Sequence, residues 1–536
     1  VQQLEQELKF DVPRSWALPD LSGVLPGVQA APLPALRLVT TYFDTADLRL
    51  AHHGVTLRHR HVMAEPGKPR GRARQKEEWT VKLPASAGAG LARTEVTWPA
   101  RRSRPRAPGA GAGTTGPVEG AAAPARPRLP AVPKAAANLV RDVCLGLPLR
   151  PVARLEADRQ RLQLRASDGR PLAEVDYDSV AGYRLVGHRR STHFREVEVE
   201  LAPGSSAEVL QAAAARLQAA GAAPSGRASK LLEVLGPEAS SWQPARPGPG
   251  SAQPGASVAA VLPAQVGACL EELLAHGPAI RLARPDPEHV HRARVAVRRT
   301  LSLLGPANRS GADEQLARLR HELSWLAQRL GRARDADVRA ELLRASCDEL
   351  PPADADGARA LLERARGDQR RARAQLLAAL RSQRYLALLR SLEDFSPATA
   401  PGPAEAPAVA LGAVVQRNWR SLSRAVGHSG DQATDDALHR ARVRAKHLRY
   451  TLELLAGKRA HRAAAAATRL QDVLGQLHDA ALAEAWLREA AAAAPSRAGL
   501  AVAAGQLIAR SRASQSELRA AWPSAWSRLR KAVSKL

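Results

Sequence analysis

Glu5, Glu7 and Lys9 alternate in EQELKF, and Glu196, Glu198 and Glu200 alternate in FREVEVEL. In an extended strand, alternate side chains share a face. One face of each segment therefore gathers carboxylates. The other face carries Leu4, Leu8 and Phe10 in the first segment and Val197, Val199 and Leu201 in the second. Clustered carboxylate oxygens suit hard dications such as Mg2+ or Mn2+. Other segments alternate cations: Arg58 and Arg60 in VTLRHR, Lys82 after Thr80 in WTVKL, and Arg159 and Arg161 in DRQRLQL. Arg93, Glu95 and Thr97 alternate in RTEVTW, and Glu174, Asp176 and Asp178 in AEVDYD. One such strand is an ordinary half-solvated strand. Strand after strand of this kind, closed into a barrel, would line one lumen with cations on one wall and carboxylates on another. That arrangement suits a polyanion bridged by a metal.

The strands that must position these groups lie within residues 1–235. Residues 101–133 interrupt them with a run of Pro, Ala, Gly and Arg that is too poor in large apolar residues to pack. It is expected to be a disordered insertion. Residues 236–257 are dense in Gly, Pro and Ser and are expected to form an exposed connector. From residue 258 to 536 the apolar period changes from two to about 3.6, the mark of helices.

The helical part repeats itself. VHRARVAVRRTLSLL (290–304) is answered by LHRARVRAKHLRYTLELL (438–455). His291, Arg294 and Arg298 match His439, Arg442 and Lys446, at offsets that place each set on one helix face. An apolar stripe runs alongside, through Val290, Ala293, Val297, Leu301 and Leu304, and through Leu438, Ala441, Ala445, Leu448, Leu452 and Leu455. Each copy is followed by a Leu-Gly-x-x-[Arg/His]-Asp element, Leu330 to Asp335 and Leu474 to Asp479. His291 and His439 have no Cys, His or carboxylate at ligand spacing, so they read as structural or phosphate-contacting histidines, not metal ligands.

Residues 1–235 resemble a CYTH domain of the triphosphate tunnel metalloenzymes. The matching segments, in family order, are EQELKF, YFDT (42–45), LRHR, WTVKLP, RTEV, EADRQRL, AEVDYD, FREVEVEL and ASKL (228–231). The resemblance implies an eight-stranded antiparallel barrel around a tunnel, and metal-dependent attack of water on a triphosphate end. It implies Glu5, Glu7, Glu196, Glu198 and Glu200 as metal-binding candidates. Lys9, Arg58, Arg60, Lys82, Arg159 and Lys230 would hold phosphates, while Glu95 and Asp176 would orient water, metal or the basic residues. The sequence departs from the family at Asp158, which precedes Arg159 where an uncharged residue is common. Residues 258–536 resemble a CHAD domain, a helical bundle of two repeated halves. That resemblance implies binding of inorganic polyphosphate by His291, Arg294, Arg298, Arg299, His439, Arg442, Lys446 and Arg449, with Arg334 and His478 as lesser candidates. The expected architecture is α+β with two domains, a β tunnel followed by an all-α bundle.

Composition agrees with a polyanion partner. The chain carries 79 basic and 52 acidic residues, a net charge of +27. Aromatic residues make up only 3% and are not interleaved with the basic runs, which disfavours specific nucleic-acid binding. No Walker GxxxxGK[ST] loop is present. Cys144, Cys269 and Cys347 are widely spaced and odd in number, which predicts free thiols in a reducing compartment. No leader before the first strand and no membrane span are expected, so the expected location is cytoplasmic, with polyphosphate granules as a site of association. The leading expectation is a metal-dependent triphosphatase with a polyphosphate-binding helical domain. Two alternatives keep the same folds: a non-catalytic polyphosphate-binding protein, and a tunnel enzyme that hydrolyses or cyclises a nucleoside or thiamine triphosphate.

Overall fold

A computed structural model describes residues 2–63, 77–84, 92–100, 130–226, 229–239, 252–253, 255–283, 285–307, 313–395, 409–427 and 434–536, without the side chains of residues 2–5, 92–93 and 238. Most of the expected insertion, residues 101–129, and most of the connector, 240–251 and 254, lie outside the described residues. The chain forms two compact units, Val1–Gln243 and Pro244–Leu536.

The first unit runs β1 (Gln2–Asp11), β2 (Gln29–Asp44), α1 (Arg49–His52), β3 (Thr56–Met63), β4 (Glu77–Leu83), β5 (Ala92–Pro99), α2 (Lys134–Val140), β6 (Arg150–Arg165), β7 (Pro171–Arg184), β8 (Ser191–Leu201), α3 (Ala207–Ala219), β9 (Ala223–Pro224) and α4 (Lys230–Leu235). The strands form one antiparallel sheet in the order β5-β4-β3-β2-β6-β7-β8-β1-β9. This corrects the eight-stranded closed barrel to a nine-stranded sheet that is not fully closed. The added strand is the two-residue β9, paired with Phe10 and Asp11. At the seam, β1 divides its ladder: residues 2–6 pair with β5 and residues 7–11 with β8. The ends of the sheet therefore meet over only half of a strand on each side.

The sheet is polar inside and apolar outside. Val197 and Val199 of β8 and Val175 of β7 are fully buried on the outer face against Val209, Leu210, Ala213 and Leu217 of α3. The opposite parity carries Asp176, Asp178, Glu196, Glu198 and Glu200 inward. Farther along the same inner face the residues turn apolar, with Leu38, Leu155, Ala157 and Val180 packed on Leu231, Val234 and Leu235 of α4. Helix α4 thus seals one end of the charged space. Ser229 caps it, its Oγ accepting from Leu232 N at 3.2 Å. In the YFDT segment, the buried Asp44 accepts from the backbone N–H of Thr45, Leu50 and Ala51 at 2.7–2.9 Å and so anchors α1. Cys144, Cys269 and Cys347 are free and buried.

The second unit is helical: α5 (Val258–Ile280), α6 (Pro287–Ala307), α7 (Glu314–Cys347), α8 (Ala355–Arg381), α9 (Gln383–Asp394), α10 (Leu411–Gly427), α11 (Asp435–Leu452), α12 (Lys458–Ala492) and α13 (Ala498–Val533). Ser257, Asp313 and Thr434 cap α5, α7 and α11 by accepting from backbone N–H groups at 2.9–3.3 Å. The expected apolar stripes are buried on α6 and α11, save Leu301, which is half-buried. One core joins Leu343 of α7, Leu361 of α8, Leu487 of α12 and Leu507 of α13. Helix α5, 23 residues long with an 18-residue window of mean hydropathy 1.5, is long and apolar enough to cross a membrane. Val258, Leu262, Val266, Cys269, Leu273 and Leu274 bury that apolar surface within the unit.

The α4 seal depends on a close approach at Gly182 of β7. A Cβ there would lie 2.3 Å from Val234 Cγ2 and 2.9 Å from Thr192 Oγ1. Gly182→Ala should therefore lower the stability of the first unit by about 1–3 kcal/mol through overpacking, read from its denaturation midpoint. An unchanged midpoint would mean that α4 is not held where described.

Candidate functional site

Strand register places the ionic side chains of the first unit around one cavity. Lys9 pairs with Glu198 and Glu7 with Glu200 across β1 and β8. Arg159 stands across from Asp178, and Lys82 across from Glu95. The cavity measures about 390 Å³ and is lined by Glu7, Lys9, Arg58, Arg60, Lys82, Glu95, Arg159, Asp176, Glu198, Glu200 and Lys230, with Tyr42 its one aromatic among the described residues.

Most of its charges are paired. Lys9 Nζ lies 2.6 Å from Glu198 and 3.3 Å from Glu7. Lys82 Nζ is 3.1 Å and Arg58 Nη2 3.8 Å from Glu95 Oε2. The Arg159 guanidinium donates through Nε and Nη2 to both oxygens of Asp178 at 2.7 Å, a bidentate pair, and through Nη1 to Asp176. Lys230, at the start of α4, reaches Asp178, Glu196 and Glu198 at 2.6, 2.7 and 3.0 Å. Burial works against charged Asp178 and Glu198, but Lys230 outweighs it, joined by Arg159 at Asp178 and by Lys9 and Arg159 at Glu198; both carboxyls fall below their ordinary pKa.

Two groups are left out of balance. Arg60 donates only to Thr40 Oγ1, at 3.4 Å, and no carboxylate among the described residues lies within ion-pair distance. Burial, with Arg58 and Arg159 nearby, brings its pKa down to about 10. Asp176 is pushed up to about 7 by burial, against the pull of Arg159 and with the push of Asp178, Glu174 and Glu198. Its Oδ1 accepts no hydrogen bond.

The carboxylates offer two places for a dication. Oxygens of Asp178, Glu196 and Glu198 lie within 4.8 Å of one another, but the Lys230 ammonium already stands among them. Glu7 and Glu200 face one another at the seam beside Glu198. Burial raises the pKa of Glu200; Lys82 opposes that shift, and the negative charges of Glu7, Glu95 and Glu174 add to it. An oxygen-only donor set with surplus negative charge fits Mg2+ or Mn2+.

A second cavity, of about 400 Å³, lies in the helical unit between α6, α7, α11 and α12. His291, Arg294 and Arg298 come from α6, Arg442, Lys446 and Arg449 from α11, and Arg334 from α7. Arg294 pairs with Asp335 at 3.0 Å, and Arg442 with Asp479 at 3.6 Å. Lys446 has no ion pair among the described residues. Burial, then the charges of Arg442, Arg298 and Arg294, pull its pKa down to about 7.

Residues 3–232 match the CYTH domain family, and residues 264–488 match the CHAD domain family. The chain belongs to the proteins that join a CYTH to a CHAD domain. The uncharacterized protein MT2285 of Mycobacterium tuberculosis is 32% identical over 511 residues, covering 92% of this chain and 89% of its own length. Among solved structures, the CHAD domain from the plant Ricinus communis is 26% identical, covers 54% of this chain and 96% of its own, and has a TM-score of 0.44. PptA from Streptomyces chartreusis is 23% identical, covers 52% of this chain and all of its own, with a TM-score of 0.42.

Of the residues singled out in the CYTH domain, Glu7, Lys9, Arg58, Arg60, Lys82, Glu95, Arg159, Asp176, Glu198, Glu200 and Lys230 line the cavity. The Glu5 side chain lies outside the described residues. Glu196 is 2% exposed and does not line the cavity; it holds Lys230 at 2.7 Å and belongs to the carboxylate triple with Asp178 and Glu198. In the CHAD domain, Arg299 and His439 do not line the groove. Arg299 binds Glu453 at 2.7 Å, and His439 stands against His478 with ring centroids 4.5 Å apart. Asp178 was missed as a site residue, although its position two residues after Asp176 marked it as facing the same way. Asp335 and Asp479 were visible only as ends of the repeated Leu-Gly elements.

Lys230→Met would strand three buried carboxylates. A loss of about 3–5 kcal/mol is expected at neutral pH, from denaturant titration. It should shrink as the pH falls. Without the ammonium, the folded-state pKa of these carboxyls rises above the unfolded value, and such a group stops costing stability once the pH drops through it. A loss independent of pH would assign the role of Lys230 to packing.

Proposed function

We propose that the CYTH domain hydrolyses inorganic triphosphate, or another triphosphate-ended substrate, with Mg2+ or Mn2+, and that the CHAD domain binds inorganic polyphosphate. The observation that carries the first half is Arg60: a half-buried arginine with no carboxylate partner among the described residues, in a cavity whose other cations are paired. A phosphate chain would supply the missing negative charge, and CYTH domains act on triphosphates. Among the described residues, the aliphatic and aromatic surface that would seat a base or a thiazole is nearly absent from the cavity lining, which favours the inorganic substrate.

Arg58 and Arg60 offer planar forks to phosphate oxygens and Lys9 and Lys82 offer point charges, while Arg159, its fork held by Asp178, adds positive charge to the wall. Glu7, Glu198 and Glu200 are the residues that would hold the dication, with Glu5 as the fourth candidate. When bound, the ion neutralises phosphate oxygens and lowers the pKa of water. Asp176, titrating near neutrality and with Oδ1 free of hydrogen bonds though 3.7 Å from Arg161 Nε, is suited to take the proton of the attacking water. Glu95 holds Lys82 and Arg58 toward the substrate, and Lys230 fixes the acidic floor. The closed end at α4 makes the space a blind pocket that admits a chain end.

The helical reading rests on the convergence of cations from α6 and α11. Two matching helices, each followed by a Leu-Gly-x-x-[Arg/His]-Asp element, form the two halves of the bundle, and their basic faces meet across one groove. Polyphosphate would neutralise Arg298 and Lys446, which lack acidic partners among the described residues.

Glu7→Gln and Arg60→Ala should each lower metal-dependent phosphate release from triphosphate by about 100-fold or more, while polyphosphate binding by the CHAD domain persists. Full activity in both variants would remove the cavity from the reaction. The groove carries a separate expectation. Polyphosphate favours the charged form of Lys446, which is only partly charged near pH 7. Affinity should therefore fall as pH rises from about 6 to 8, with proton uptake on binding. Lys446→Arg, always charged, should flatten that slope in calorimetric titrations. An equal slope in both proteins would place the titrating group elsewhere.

A further inference from the structure

Lys446 is the one lysine among the described residues that line the groove of the helical unit. It stands where the first copy of the repeat has Arg298. One member of this matched pair can therefore give up its proton, and the other cannot. The Lys446 side chain is half-buried and opens on a cavity of about 400 Å³. The charges that act on it come from Arg442 on its own helix, from Arg294 and Arg298 on α6, and from Asp479 on α12. Arg334 and Asp335 of α7 line the same groove.

The arginines around this amine are incompletely engaged. Arg442 Nη2 lies 3.6 Å from Asp479 Oδ1, which is too long for a hydrogen bond. The Nε groups of Arg298 and Arg442 are buried without a hydrogen-bond partner. Arg294 donates through Nη1 to Asp335 at 3.0 Å. Guanidinium groups in this state are suited to take phosphate oxygens. Burial, then Arg442, Arg298 and Arg294, bring the Lys446 pKa to about 7, so the free amine is abundant at neutral pH. A lysine desolvated beside other cations is an activated nucleophile. An amine and a phosphate seat in one groove select an electrophile that joins a reactive carbonyl to a phosphate leaving group.

We propose that Lys446 is a modification site, taking the acyl group from a small acyl phosphate whose phosphate is held by Arg294, Arg298 and Arg442. Nζ attacks the carbonyl carbon. The new N–C bond replaces the bond between that carbon and the bridging oxygen. The phosphate leaves with the electron pair of the broken bond and takes up the proton that the amine gives up. The products are an amide and hydrogen phosphate. The arginines neutralise the charge that grows on the leaving oxygen. An amide carries no charge, so acylation removes a cation from the groove and weakens its hold on a polyanion. The inference rests on the reading of the groove as a phosphate site and is independent of the reaction in the CYTH domain. Lysines elsewhere lack this setting: Lys9, Lys82 and Lys230 pair with carboxylates, and Lys458 and Lys531 are exposed.

The test incubates the full-length chain at neutral pH with acetyl phosphate and, separately, with para-nitrophenyl acetate, an activated ester without phosphate. Peptide mass spectrometry follows acetylation at Lys446 and at the exposed Lys458 and Lys531, which serve as references. With acetyl phosphate, Lys446 should be acetylated at least about tenfold faster than either reference. That preference should shrink with the ester, in Arg298→Gln, and when excess polyphosphate fills the groove. The two reagents separate the causes. Loss of an activating neighbour slows both, whereas loss of the phosphate seat slows acetyl phosphate alone. Circular dichroism melts verify that Arg298→Gln folds. An acetylation rate at Lys446 no greater than at the references would overturn the inference, and so would an equal preference for Lys446 with both reagents. Calorimetric titration of the same protein with polyphosphate shows whether the reading of the groove falls with it. Selective acetylation in a chain that binds no polyphosphate would overturn the polyphosphate reading alone.

Discussion

Arg159 and Lys230 are buried cations, and their neutralisation organises the first unit. Arg159 forks onto Asp178 and reaches Asp176 and Glu198, while Lys230 sits among Asp178, Glu196 and Glu198. Removing charges from water costs more than a simple ion pair returns unless every partner is placed. The register of β6, β7 and β8 sets those partners across from one another. A buried network of this kind is a poor source of stability but a good source of fixed geometry. It leaves Arg60 without an acidic partner among the described residues and Asp176 poised near neutrality, the two imbalances on which the proposed reaction rests.

That polar interior forces the hydrophobic core to the outside of the sheet. Val175, Val197 and Val199 are buried beneath α3, not at the centre of the sheet. The inner face becomes apolar only where α4 closes it. One short helix therefore serves two ends: Leu231, Val234 and Leu235 seal the space, and Lys230 at its first turn completes the charge balance. The helical unit solves a similar problem in another way. Its apolar stripes face the bundle, and the remaining faces of α6 and α11 crowd cations into a groove. Asp335 and Asp479 each compensate one arginine. Burial, and after it the residual repulsion from Arg442, Arg298 and Arg294, lowers the pKa of Lys446.

The sequence by itself determined which faces carry charge. Strict alternation in EQELKF, AEVDYD and FREVEVEL has one meaning in an extended chain, so the inward rows were legible without coordinates. The His-x-x-Arg repeat and its apolar stripe fixed the orientation of α6 and α11 in the same way. Local rules of this kind end where a contact joins distant segments. Only the tertiary structure decided that Lys230 would enter the acidic triple and withdraw Glu196 from the cavity. It also decided that the sheet meets itself along half of β1, that α5 spends its apolar surface inside a bundle, and that Arg299 and His439 turn away from the groove. Each of these depends on which side chain arrives first within ion-pair or packing distance across tens or hundreds of residues. Periodicity gives the direction in which a side chain points, whereas register and packing choose its partner.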